Sequence, residues 1–216
     1  MIKVAPSILS ADIVNLERDI HRLEACGADY LHIDVMDGIF VPNLSFGINT
    51  VEAIRKVTQM TLDVHLMIDR PIRYINEFCQ AGADIISIHA EADSEENTLR
   101  ALQLIRKSGA LGAVSIKPST TADTVIPFID LCGMVLVLTV EPGFGGQAFM
   151  TSVLKKVARI RQIIDKKKLN CDVEVDGGIN LETSVLAKNS GANVLVAGSA
   201  FFQTQDTAEF VRVLKL

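Results

Sequence analysis

Residues 29–43 read DYLHIDVMDGIFVPN. The run DYLHIDVM opens like a buried strand, yet its alternate positions carry His32, Asp34 and Met36. Successive strand side chains point to opposite faces, so these three share one face. An unpaired carboxylate is costly to bury; such groups are normally paired, protonated or bound to a metal. Other polar groups are therefore expected to converge on this face.

Outward from this stretch, short β-rich runs alternate with longer amphipathic ones. ADIVNLERDIHRLEACG precedes it, and TVEAIRKV, LDVHLMI, PIRYINEFCQAG, DIISIHA and ENTLRALQLIRKSG follow. The second half continues with LGAVSIK, TADTVIPFID, MVLVLTV, TSVLKKVARIRQIIDKKK, CDVEVD, LETSVLAKNSG, NVLVAGS and DTAEFVRVLKL. With KVAPSIL at the start these make eight strand-then-helix units of about 27 residues in a chain of 216. Strands that alternate with helices imply parallel strands joined by crossover helices. The pattern predicts an α/β fold, a single (β/α)8 TIM barrel over residues 1–216. A doubly wound open sheet is the alternative, but no glycine-rich dinucleotide turn follows the first strand. Gly in AGAD (81–84) and SGAN (190–193) marks helix ends.

The composition fits that fold and narrows the function. Hydrophobic residues make up 49% and charged residues 22%, as in a well-cored globule. A net charge of −5 argues against a nucleic-acid partner, which would require a basic face. The basic run Lys166–Lys168 reads as the solvated end of a helix. Cys26, Cys79, Cys132 and Cys171 are far apart and form no C-x-x-C pair, which suits reduced thiols. MIKVAPSIL is too short for a signal core followed by a cleavage site, and no apolar run approaches a membrane span. A cytoplasmic protein with no membrane partner is expected.

Polar residues recur where the strands end: Ser7, His32 to Asp37, His65, His89, Lys117, Glu141, Asp176 and Ser199. In a barrel these positions form the C-terminal rim, where loops build active sites. If the His32/Asp34, His65/Met67 and Glu174/Asp176 faces point inward, then His32, Asp34, His65 and Asp176 converge. Two imidazoles and two carboxylates suit one divalent transition metal, Zn2+, Fe2+, Co2+ or Mn2+. Taken singly, each His has a bland reading as a core or surface residue. Glycine supplies a second signal: EPGFGGQ (141–147), DGG (176–178) and AGS (197–199) all follow strands. The loops after strands seven and eight are the usual phosphate-holding loops of such barrels.

APSILSAD, HIDVMDGIFVPNLSFG, DVHLMI, VEPGFGGQAF, VEVDGGI and VAGSAFF together resemble ribulose-phosphate 3-epimerases, in the same order and across essentially the whole chain. The resemblance implies a metal-dependent isomerase that interconverts ribulose 5-phosphate and xylulose 5-phosphate. It implies that His32, Asp34, His65 and Asp176 bind the metal, and that Asp34 and Asp176 double as acid and base. Ser7 and His65 would contact substrate, and Met36 and Met67 would pack against the reacting carbons. Gly145, Gly146, Gly177, Gly178, Gly198 and Ser199 would hold the phosphate, and the chain would form a homo-oligomer. A 3-epimerase of a hexulose 6-phosphate such as allulose 6-phosphate, or a non-catalytic sugar-phosphate binder, are the alternatives. A metal-free phosphate-binding barrel of the decarboxylase or isomerase type is another. The chain departs from the family pattern at Leu138, where Met is usual, and at Ser119. Lys117 and Glu141 match one branch of the family only. His89 reads as a residue of the pocket wall or behind the ligands, and Glu174 as one that hydrogen-bonds inside the barrel.

Overall fold

Strands and helices alternate along the computed structural model, which describes residues 1–216. The strands are β1 (Lys3–Pro6), β2 (Tyr30–Met36), β3 (Thr61–Met67), β4 (Ile85–His89), β5 (Leu111–Ile116), β6 (Met134–Leu138), β7 (Asp172–Asp176) and β8 (Val194–Ala197). All neighbouring strands pair in parallel in the order β1-β8-β7-β6-β5-β4-β3-β2. A parallel bridge between Ser7 and His32 brings the two ends of that order together. The result is an eight-stranded (β/α)8 barrel.

The helices are α1 (Leu16–Ala25), α2 (Ile48–Val57), α3 (Ile75–Gln80), α4 (Glu95–Lys107), α5 (Leu154–Lys167), α6 (Leu181–Asn189), α7 (Ser199–Gln203) and α8 (Thr207–Lys215). Local chemistry sets several of their ends. Ser94 caps α4 by accepting from the Asn97 amide, with Glu95 and Glu96 in the first turn and Arg106 and Lys107 in the last. Asn180 and Thr183 form a reciprocal capping box on α6. Gly82 and Gly191 turn the chain with φ of 101° and 104°. No helix is long and apolar enough to cross a membrane.

The helix expected over TADTVIPFID does not form. Residues Ala122–Val125 and Ile129–Leu131 are 3-10 turns instead. Pro127 has no amide proton, and in an α-helix its ring would collide with the carbonyl of Asp123. A further element, the short α7, follows β8 at once and was not anticipated.

Period two decides what faces the barrel interior. Leu31, Ile33 and Val35 of β2, Leu62, Val64 and Leu66 of β3, and Val173 and Val175 of β7 belong to the large core shared with the helices. The alternate residues of the same strands, His32 and Asp34, Asp63 and His65, and Glu174 and Asp176, belong to no apolar cluster. A smaller cluster of Ala5, Ile85, Ala113, Met134, Val194 and Val196 comes from the remaining strands. Register then aligns the polar ends: Asp34 pairs with His65, His65 with Ser87, and Leu138 with Asp176. Lys166–Lys168 are exposed at the end of α5, and all four cysteines are free thiols.

Candidate active site and metal centre

His32, Asp34, His65 and Asp176 each offer one ligand atom, and these atoms all lie within 4.8 Å of one another. His65 Nδ1 is 3.2 Å from Asp34 Oδ1 and 3.8 Å from Asp176 Oδ2. His32 Nε2 is 3.5 Å from Asp34 Oδ1 and 3.9 Å from Asp176 Oδ2. Three strands, β2, β3 and β7, bring them together.

The donor set fits a divalent cation on two grounds. His32 Nδ1 bonds Asp63 Oδ2 at 2.6 Å, while His32 Nε2 is buried among the ligand atoms with no hydrogen-bond partner. A ring that donates from Nδ1 to a carboxylate presents a bare Nε2, as metal-ligating histidines do. The carboxylates around this nitrogen also draw positive charge to it. Burial alone would neutralise both groups, but the Asp63 and Asp34 carboxylates hold His32 well above its usual value, and His32 and His65 hold Asp34 far below the carboxylate range. Asp176 is raised to about 6 by burial and by the charge of Asp34. Two carboxylates this close, one buried and one partly so, call for positive charge between them.

A second group, His32, Asp63 and Glu174, lies deeper and is fully buried. It is closed on itself by the His32–Asp63 bond, and burial beside Asp63 pushes Glu174 well above the carboxylate range. No donor reaches either Glu174 oxygen, and the side chain it faces is the carboxyl of Asp63. Asp63 and Glu174, on the Nδ1 side of His32, thus sit behind the ring, while Asp34 and Asp176 line the cavity.

Above the cluster opens a cavity of about 400 Å³ whose lining includes Ser7, Asp34, Met36, Met67, Leu138 and Asp176. Ser7 donates from Oγ to Asp34 Oδ2 at 2.6 Å, which leaves Oδ1 to face the histidines. Met36 and Met67 line the cavity and also pack with Val41. Leu138, at the end of β6, lines the cavity as well. The glycine loops line the same cavity: Gly145, Gly146, Gly177, Gly178, Gly198 and Ser199 all belong to its wall.

These loops are held by residues whose role the sequence did not reveal. Asn43 Nδ2 donates to Gly143 O at 2.7 Å, and Gln147 Nε2 donates to Glu141 O and Phe144 O. Thr139 Oγ1 donates to Asp176 O and Gly177 O, and Thr183 Oγ1 to Gly178 O. Ser45 Oγ donates to Asp34 O. Gly178 must be glycine for a simple reason. Its φ is 66°, and a Cβ there would lie 2.7 Å from the Phe149 amide nitrogen. Ser10, also in the lining, sets its hydroxyl 2.9 Å from where a Gly198 Cβ would be.

His89 does not line this cavity; it is fully buried behind His65, with the two Nε2 atoms 2.9 Å apart. Burial brings His89 down to about 4 in spite of Glu91. Burial pushes Glu91 up, but hydrogen bonds from His89, Thr120 and the Lys117 amide outweigh it and bring the carboxyl to about 2. Lys117 stands with Nζ 3.7 Å from the Phe40 ring centroid, outside the ligand cluster, and Glu141 is exposed in the cavity wall.

Residues 3–202 match the model of the ribulose-phosphate 3 epimerase family. A ribulose-phosphate 3-epimerase of Bacillus subtilis is 48% identical over 216 residues, covering 100% of this chain and 99% of that protein. A chloroplastic ribulose-5-phosphate-3-epimerase of Arabidopsis thaliana is 42% identical, over 98% of this chain and 75% of its own. Among solved structures, a 3-hexulose-6-phosphate synthase superposes with a TM-score of 0.71 at 18% identity, covering 99% of this chain and 98% of its own. A 3-keto-L-gulonate-6-phosphate decarboxylase of Vibrio cholerae gives a TM-score of 0.73 at 14% identity, covering 99% of this chain and 96% of its own. Such distant likeness shows the shared barrel alone.

Proposed function

The chain belongs to the ribulose-phosphate 3-epimerase family, and on that premise we propose that it interconverts D-ribulose 5-phosphate and D-xylulose 5-phosphate. The observation that carries this reading is that Asp34 of β2 and Asp176 of β7 line one cavity, with two histidines beside them and the glycine loops in the same lining. Inverting a carbon next to a ketone requires taking a proton from one face and returning one to the other, through an enediolate. Two carboxylates on separate strands can do this, each acting once as base and once as acid.

His32, Asp34, His65 and Asp176 would hold one Zn2+, Fe2+, Co2+ or Mn2+ ion. When bound, that ion supplies the positive charge that stabilises oxygens as they become negative. The chain's own residues do the rest. Ser7 orients Asp34 by donating to Oδ2, and Asp63 fixes the His32 ring. Met36, Met67 and Leu138 give the reacting carbons an apolar floor, and Met offers a polarizable one. The amides of Gly145, Gly146, Gly177, Gly178, Gly198 and Ser199 hold the phosphate at the cavity wall, fixing how far the reacting carbon lies from the carboxylates.

The shared barrel does not separate this reading from a decarboxylase; the paired carboxylates do, because an epimerase needs both. The test is to incubate metal-loaded protein with ribulose 5-phosphate and with allulose 6-phosphate in parallel and follow each by NMR. Xylulose 5-phosphate should appear with the pentulose at a much higher kcat/KM. Faster turnover of the hexulose would reassign the substrate, and binding without turnover would leave a sugar-phosphate binder.

A further inference from the structure

Four protein ligands leave His89 without a part in the chemistry, yet this imidazole is fully buried and each of its ring nitrogens is engaged. Its Nε2 is 2.9 Å from His65 Nε2, and its Nδ1 is 3.0 Å from Glu91 Oε2. The other carboxylate oxygen of Glu91 accepts from the Lys117 amide at 2.8 Å and from the Thr120 hydroxyl. Phe40 covers the face of His89, with ring centroids 4.8 Å apart, and Lys117 Nζ caps Phe40 in turn.

The direction of each proton follows from this order of partners. Glu91 Oε1 accepts from the Lys117 amide, which cannot accept in return, and the Thr120 hydroxyl donates to the same oxygen; this holds the group as a carboxylate, and the proton between it and His89 resides on Nδ1. A neutral imidazole with Nδ1–H has a bare Nε2, which must accept. His89 is held neutral in this slot, because a charged ring would lie buried beneath the Phe40–Lys117 stack. The proton between the two rings therefore belongs to His65 Nε2. That leaves His65 Nδ1 to face Asp34 and Asp176. His32 does the reverse, with Nδ1 bonded to Asp63 and Nε2 toward the cluster.

We infer that His89 and Glu91 are positioning residues: a directional relay, anchored by Thr120 and the Lys117 amide, that fixes the tautomer and ring orientation of His65 so that Nδ1 is its metal-binding atom. The inference rests on the reading of the cluster as a metal site. It gives Lys117 a role through its amide and through its side chain's cover on Phe40. Outer hydrogen-bond partners of this kind typically change metal affinity by about 10–100-fold when removed.

The test combines proton positions with metal affinity. With 15N-labelled histidine, long-range 15N–1H correlations are recorded on the metal-free and the zinc-loaded protein. Expected is a proton on Nε2 of His65 and on Nδ1 of His89 in both states, with His65 Nδ1 bare once zinc is bound. Zinc affinity is then measured by chelator competition for the parent, His89→Leu, His89→Gln and Glu91→Gln, with circular dichroism to verify folding. His89→Leu and Glu91→Gln should bind zinc about 10–100-fold more weakly. His89→Gln, whose amide oxygen can accept from His65, should retain most of the affinity. A bare Nε2 on His65 would overturn the relay, as would parental affinity in folded His89→Leu or equal losses in the Leu and Gln variants. A parent that takes up no zinc would sink the metal reading by itself, and the metal-free proton positions would still decide the relay.

Discussion

Asp34 and Asp176 face one cavity with unequal support. Asp34 is held by Ser7 and two imidazoles, whereas Asp176 is steadied mainly through its backbone carbonyl by Thr139. Asp176→Asn keeps the shape and removes a base, so epimerisation should fall by about 10²- to 10⁴-fold with metal content measured alongside. Activity near the parental value in a metal-loaded variant would remove Asp176 from the chemistry. The phosphate wall is best probed at Gly145, where an added Cβ meets only the Ser10 hydroxyl at 3.6 Å and φ is not positive. Gly145→Asp should raise KM for the phosphorylated sugar and leave the melting temperature nearly unchanged; an unchanged KM would take this loop out of the site. Gly178→Ala is a different experiment, because its left-handed backbone and the close Phe149 amide make it a stability variant. It should lose about 1–3 kcal/mol in denaturant unfolding.

The elements that carry the site were legible because period two writes itself into a strand that is apolar on one face and polar on the other. HIDVM, DVHLM and VEVD each do so. Residues 121–130 have a helical pattern of apolar residues but form 3-10 turns, because Pro127 overrides the pattern. What no pattern reveals is a hydroxyl or amide bonded to a distant carbonyl. Ser45, Thr139, Thr183 and Asn43 are ordinary polar residues in sequence, and they become loop fasteners only when the barrel brings Asp34, Gly177, Gly178 and Gly143 to them. The capping box of α6 tests this coupling between element and site. Asn180→Ala removes the cap next to the DGG loop and should cost about 0.5–2 kcal/mol, read as a lower melting temperature. Since Thr183 holds both the cap and Gly178 O, Thr183→Val should also raise KM. A loss of stability with unchanged KM would show that the helix cap and the loop are independent.

At the scale of the whole barrel, the ligand atoms come from strands two, three and seven, so a bound ion ties together both sides of the closed sheet. A ligand that binds only the folded state stabilises it by about 2.7 kcal/mol at a hundredfold excess over Kd. Stripping the metal with a chelator should lower the melting temperature while the far-ultraviolet spectrum stays that of the barrel, and adding zinc back should restore it. An identical melting curve with and without metal would show that the cluster binds none. The central claim is that Asp34 and Asp176 each handle one face of the same carbon. Deuterium wash-in at C3, started separately from ribulose 5-phosphate and from xylulose 5-phosphate in D2O, tests it most directly when run on metal-loaded parent, Asp34→Asn and Asp176→Asn. The parent should epimerise with deuterium at C3 from either side, and the two variants should exchange with opposite substrate bias while net epimerisation is lost. Epimerisation without deuterium at C3, or the same bias in both variants, would contradict it.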